Sequence, residues 1–133
     1  MDWIECCDKK FVKTVSIDVA MINSLTKSSE KKMLSARRLE LDDITASSVV
    51  VLFYDALREL LEALSLKKGF KIYNHECFYS FLKEIMKEDS LGEKFDRARR
   101  MRNRNYYGEE ISVTDAKEII ENIQWMIDKV KKI

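Results

Sequence analysis

At 133 residues, the chain is long enough for one domain with a real core and too short for two ordinary ones. Its 24 Lys+Arg against 23 Asp+Glu leave a net charge of +1, which excludes a global field that would draw the whole molecule onto nucleic acid, so any anion binding must come from a local patch. The amino-terminal stretch carries Asp2, Glu5, Asp8 and several lysines among short apolar groups, and no later stretch is long and uncharged; a signal-peptide core and a membrane span are excluded, and a cytoplasmic protein without membrane contact is expected.

Residues 1–15 read as an amino-terminal arm in which Phe11 and Val12 pack as an extended segment, and residues 16–133 as a helical domain. The sequence has no proline, and its three glycines are Gly69, Gly92 and Gly108, so long helices can run without internal breakers. The three cysteines include the adjacent pair Cys6-Cys7. An odd count without framework spacing reads as reduced thiols. A zinc site joining Cys6, Cys7, His75 and Cys77 is disfavoured, because neighbouring cysteines lack the C-x-x-C spacing that wraps one tetrahedral ion.

Within the helical domain, Ile22, Leu25, Ser29, Met33 and Ala36 recur at helical spacing and predict one long amphipathic helix capped by Ser16 or Asp18. A second helix is expected after Asp42, where Val49, Phe53, Ala56, Leu57, Leu60, Leu61 and Leu64 form a wide apolar face. Lys67, Lys68 and Gly69 supply its basic last turn and stop. That width places it at the centre of a bundle.

Asn74 caps a third, shorter helix carrying Phe78, Phe81, Leu82 and Ile85; Ser90 to Glu93 reads as a capping box for a fourth; Ser112 to Asp115 resembles one for a fifth, which carries Ala116, Ile119, Ile120, Ile123, Ile127 and Val130. His75 reads as a first-turn residue near a cap rather than a proton shuttle. Tyr73, Phe78, Tyr79 and Phe81 read mainly as core rather than a stacking platform. The fold class is therefore all-α, an antiparallel bundle of about five helices.

The fourth helix ends in "RARRMRNRNYYG", residues 97–108. On a helical wheel Leu91, Phe95, Ala98 and Arg102 fall within roughly 60° of one another, Arg99 lies at the edge of that stripe, and Arg97, Arg100 and Arg104 point away. The last three read as a solvated face. An arginine in line with Leu91 and Phe95 needs a carboxylate, carbonyls or a bound anion, and the pattern leaves open a structural ion pair with Asp55 or Glu59 or a functional site.

The order Arg102-Asn103, then Arg104, Asn105 and Tyr106, then Tyr107-Gly108, after one helix and before a capped one, resembles the HEPN domain family (higher eukaryotes and prokaryotes nucleotide-binding). That family's signature is an Arg, usually followed by a polar residue, and a His four to six residues after the Arg. The resemblance runs from about Ile17 to Val130 through the helix order, "YDALRELLEALSLKKGFK" and the "NHECF" start of the third helix.

The resemblance implies a HEPN-like domain over 16–133 that forms a homodimer, with the two Arg motifs meeting in an interfacial cleft, and it calls for neither metal nor cofactor. Many members are metal-independent ribonucleases. Others pair with a minimal nucleotidyltransferase, and in some pairs a tyrosine beside the motif accepts AMP.

This chain departs from the family in holding Tyr107 where the His is expected. Arg102 suits phosphate stabilisation, being always charged and forked. Tyr107 suits general-base work poorly, since with an ordinary pKa of about 10 only on the order of one phenol in a thousand is ionised at neutral pH.

In an unbroken helix Arg102 and Tyr107 would stand roughly 140° apart, and Gly108 marks the helix end that lets the tyrosine turn back. Binding survives the substitution better than catalysis.

The expected function is RNA or nucleotide binding through Arg99, Arg102, Asn103, Asn105, Tyr106 and Tyr107, as one component of a toxin-antitoxin-like pair with a nucleotidyltransferase partner. The first alternative is a metal-independent endoribonuclease with Arg102 and Tyr107 as its catalytic residues; the second is a non-catalytic dimerisation or interaction module.

Overall fold

Twelve residues of α3 are apolar and buried along nearly its whole length, so this helix cannot face solvent on any wide side and must be surrounded. The computed structural model describes residues 1–106 and 108–133, and of Asn105 and Tyr106 the backbone alone. The elements run α1 (Trp3–Asp8), β1 (Val12–Thr14), α2 (Val19–Arg37), α3 (Ala46–Lys67), β2 (Phe70–Ile72), α4 (Cys77–Ser80) continued by a π-helical turn (Phe81–Ile85), α5 (Asp89–Tyr106) and α6 (Val113–Lys131). The architecture is an all-α bundle: α3 packs against α2, α5, α6 and β2, and a small antiparallel ribbon of β1 and β2 pairs Val12 with Ile72, Lys13 with Lys71 and Thr14 with Phe70.

Local chemistry explains the ends. The Asp18 carboxylate accepts the Met21 N–H at 3.0 Å and starts α2; the Ser112 hydroxyl accepts the Asp115 N–H at 3.1 Å and starts α6. The expected Ser90 cap is corrected: α5 begins at Asp89, two residues earlier than that cap implies, because the Glu88 carbonyl already accepts the Gly92 N–H at 3.0 Å, and Ser90 falls inside the first turn. Gly108, at φ +93°, sits just past the end of α5 in the left-handed region that a residue without Cβ adopts freely.

The third helix is also shorter than its periodicity predicts. It breaks into a π-helical turn in which the Met86 N–H reaches the Phe81 carbonyl at 3.0 Å, and Lys87 at φ 58° turns the chain into α5.

The core is continuous. Tyr54, Phe78, Phe81, Phe95, Leu57, Leu61, Ile123, Met126 and Ile127 are each fully buried. At about 1.5–3 kcal/mol for each large apolar side chain removed from water, this cluster is the main force locking α5 onto α3. Phe95 stacks on Tyr54 at a centroid distance of 6.0 Å and meets Phe78 edge-on at 5.7 Å.

The amino-terminal segment packs on that core through Trp3, whose ring lies 5.2 Å from Phe70 and 5.9 Å from Phe81, and through buried Cys6 and Val12. The expectation of reduced thiols is corrected for two of the three cysteines. Cys6 and Cys77 form a disulfide across a sequence separation of 71, and Cys7 is free and exposed. The ribbon is the reason: it carries the chain from α1 to β1 and β2 to α4, bringing two buried Cα atoms to 6.1 Å, within bridging range. Spacing in sequence gives no sign of a pairing made by tertiary contact.

Among the described residues no group of three or more His, Cys, Asp and Glu side chains could hold a metal ion, and no helix is long and apolar enough to cross a membrane.

Candidate functional site

The wheel's division of the arginines is visible in their burial. Arg97 and Arg100 keep 71% and 70% of their side chains exposed, whereas Arg99 keeps 18%. Phe95, Ala98 and Leu91 are buried and fix the rotation of α5, so the positions that follow on the same stripe are pressed toward α3. Arg102 occupies such a position, half-buried, and its guanidinium carbon lies 5.7 Å from the Tyr54 ring centroid in a cation–π arrangement.

The carboxylates proposed as structural partners for Arg102 are engaged with other cations. Glu59, buried on α3, holds Lys32 of α2 and lies 4.0 Å from Arg58; Asp55 also lies 4.0 Å from Arg58, and Arg58 donates to Glu62 at 2.5 Å. The face of α3 toward α5 thus carries a guanidinium, Arg58, which adds to the positive potential around Tyr54.

The Tyr54 hydroxyl lies 3.3 Å from Nδ1 of His75, with the two rings 6.2 Å apart. Asn74 positions His75: its side-chain oxygen accepts the Glu76 N–H at 3.0 Å, and the His75 carbonyl accepts the Phe78 N–H at 3.1 Å. The sequence placed His75 correctly near a helix start, but its side chain does more than fill a first turn. It lines an open cleft of about 520 Å³ together with Phe11, Tyr73, Asn74, Glu76, Arg99 and Asn103. Arg99 and Asn103, one turn apart on α5, form one wall, and the segment after β2 forms the other.

Electrostatics follow from this crowding. Burial first, and then the Arg58 and Arg102 guanidiniums, hold His75 down to about 4, so its ring is neutral at physiological pH. Burial pushes the Tyr54 phenol up to about 12 against the pull of Arg102, Arg99 and Arg58, so it remains a protonated hydrogen-bonding group. Asp96 is shared, accepting from Arg99 at 3.0 Å and pairing with Arg100 at 2.7 Å, which leaves two guanidiniums on one carboxylate. The Arg99 Nε is buried and has no hydrogen-bond partner among the described residues.

Arg99 also lines a second cavity, of about 650 Å³, shared with Arg97, Arg100, Arg104, Glu76 and the amino terminus. A smaller space of about 110 Å³ between α5 and α6 is bordered by Arg97 and Glu118, which pair with each other at 2.8 Å. That mutual pairing leaves little local charge for a ligand.

Of the residues singled out in the sequence, Arg99 and Asn103 meet in the cleft and Arg102 stands against Tyr54. Tyr107 lies outside the described residues, as do the side chains of Asn105 and Tyr106. Sequence reasoning missed Tyr54, hidden within an apolar stripe, and the convergence of His75 on Arg99. It also assigned Tyr73 to the core, where the structure leaves it 51% exposed at the exit of β2. Asn74 as a cap before the sole histidine was the one available signal.

Comparison with protein-family models, with curated proteins and with solved structures returns no match.

Proposed function

We propose that the chain binds RNA or a nucleotide in the cleft between α5 and the β2–α4 connection. The observation that carries this reading is the meeting of Arg99, Asn103 and His75 on one cavity of about 520 Å³, with the Arg102 guanidinium close behind on Tyr54. Guanidinium groups match phosphate oxygens in pairs, the Asn103 amide offers both a donor and an acceptor to a base edge, and the neutral imidazole adds a hydrogen bond without competing for the anion. Asp96, divided between Arg99 and Arg100, leaves positive charge over for a phosphate.

Asn103 of the cleft and Arg102 behind it belong to the motif that carries the HEPN resemblance. Under it the protein acts as a homodimer and as one component of a toxin-antitoxin-like pair with a minimal nucleotidyltransferase. Titration of labelled RNA and of labelled ATP at two salt concentrations tests the binding claim, because phosphate contacts weaken as salt rises. Salt-insensitive binding, or none, favours the non-catalytic interaction module.

A second reading, a metal-independent endoribonuclease, is favoured by the position of His75. If its Nδ1–H donates to the Tyr54 oxygen at 3.3 Å, Nε2 keeps its lone pair to accept a proton from a ribose 2′-hydroxyl, while Arg99 or Arg102 steadies the phosphate. His75 then takes the role for which Tyr107 is poorly suited. Incubation of RNA with the wild type, Arg102→Ala and His75→Ala decides it: degradation identical in all three removes the catalytic claim.

A further inference from the structure

The ribbon places like charges face to face. Lys13 and Lys71 are directly opposite partners in the β1–β2 register, both exposed, and cross-strand pairs share a face. Two ammonium groups in that position repel and weaken the pairing unless something anionic sits between them. Among the described residues neither has a carboxylate within ion-pair distance.

Both amines instead turn to one aromatic ring. The Lys13 Nζ lies 5.6 Å and the Lys71 Nζ 5.2 Å from the Tyr73 centroid, and that ring is 51% exposed. Alternation along β2 puts Tyr73 on the same outer face as the two lysines, and the Tyr73 N–H donates to the carbonyl of Phe11, a half-buried residue packed on the core, at 2.8 Å, continuing the ladder. Phe11 and Tyr73 are also lining residues of the Arg99–Asn103 cleft. The aromatic and basic face of the ribbon is therefore continuous with that cleft.

The nearby acidic groups are occupied. Glu62, beside Lys71 and Tyr73, takes the Arg58 guanidinium at 2.5 Å, and Glu76 lies 4.0 Å from the terminal amine.

We infer that the outer face of the β1–β2 ribbon is a second contact surface for single-stranded nucleic acid, in which Lys13 and Lys71 hold consecutive phosphates and Tyr73 stacks on a base. It rests on the reading of the adjoining cleft as a nucleotide site, and it makes the ligand a strand several nucleotides long rather than a free mononucleotide. Alternating cationic and aromatic groups suit a single strand, whose phosphates and unpaired bases are both accessible.

The test compares a fluorescent decauridylate with a fluorescent diuridylate on the full chain, by anisotropy at two salt concentrations, with melting curves to verify that each variant is folded. The wild type binds the decamer more tightly than the dimer. Lys13→Gln with Lys71→Gln weakens the decamer roughly tenfold and flattens its log–log salt slope by about 1.4, while dimer binding is unchanged. Tyr73→Leu weakens the decamer roughly tenfold at both salt concentrations, without the change in slope.

Decamer binding equal to wild type in both variants overturns the inference, as does equal competition by poly-glutamate, which marks a surface for acidic protein. Failure of the cleft reading looks different: Arg102→Ala then binds the dimer as well as wild type does, whatever the ribbon variants show. A wild type that binds neither probe removes both.

Discussion

The Arg102 guanidinium of α5 lies 5.7 Å from the centre of the Tyr54 ring of α3. A charged group of α5 thereby rests on a fully buried ring of the core. The Tyr54 hydroxyl extends the relationship to His75 at 3.3 Å. Because this phenol is pushed up to about 12, it should ionise well above the ordinary phenol range. An alkaline spectrophotometric titration should show one late phase, absent from Tyr54→Phe.

His75 provides the acid-side counterpart. Its folded value of about 4 lies below the ordinary 6.5, so the unfolded chain binds more protons between those values, and stability rises with pH through that window. The contribution is full above pH 6.5 and is lost as pH falls toward 4, at a size on the order of 1–2 kcal/mol once the ring's partial exposure is allowed for. His75→Asn should therefore lose less melting temperature than wild type between pH 7 and pH 4. Equal losses would mean that the ring is solvated.

The Cys6–Cys77 bridge closes a long loop, and such closures contribute about 2–5 kcal/mol by restricting the unfolded chain. In guanidinium unfolding of Cys7→Ser, which leaves the bridge alone, the midpoint should move to lower denaturant on reduction, with a loss of about 2–5 kcal/mol in unfolding free energy. Non-reducing peptide mapping should find Cys7, and neither of the others, alkylated in the folded protein.

Phe95 is fully buried between Tyr54 and Phe78. Phe95→Ala should cost about 3–5 kcal/mol in urea unfolding, because the two remaining rings cannot close over the gap. A loss below about 1 kcal/mol would place α5 elsewhere.

Much of the bundle was legible because its signals are local. Asp18, one of the two caps expected for α2, and Ser112 both cap their helices, the α3 stripe is buried as its period requires, and Arg102 falls on the apolar side of α5 while Arg97 and Arg100 do not. The features that were not legible are made by distant pairs. Neither the bond between Cys6 and Cys77, nor the ribbon that pairs Lys13 with Lys71, nor the approach of His75 to Tyr54 has a period or a motif. Each depends on how α1 and the β2–α4 connection fold back onto the bundle. Tyr73 was misread for the same reason, since its neighbours in sequence are core residues while its own position is the exit of an exposed strand.

We propose that α5 and His75 form a phosphate-binding cleft. It is tested most directly by the affinity of wild type and Arg102→Ala for a labelled single-stranded RNA at low and moderate salt. Wild-type binding should weaken as salt rises, and the variant should lose roughly tenfold or more in affinity with its fold intact by circular dichroism. Equal affinity in the two proteins, together with a large fall in the variant's melting temperature, would contradict it and make Arg102 a structural residue.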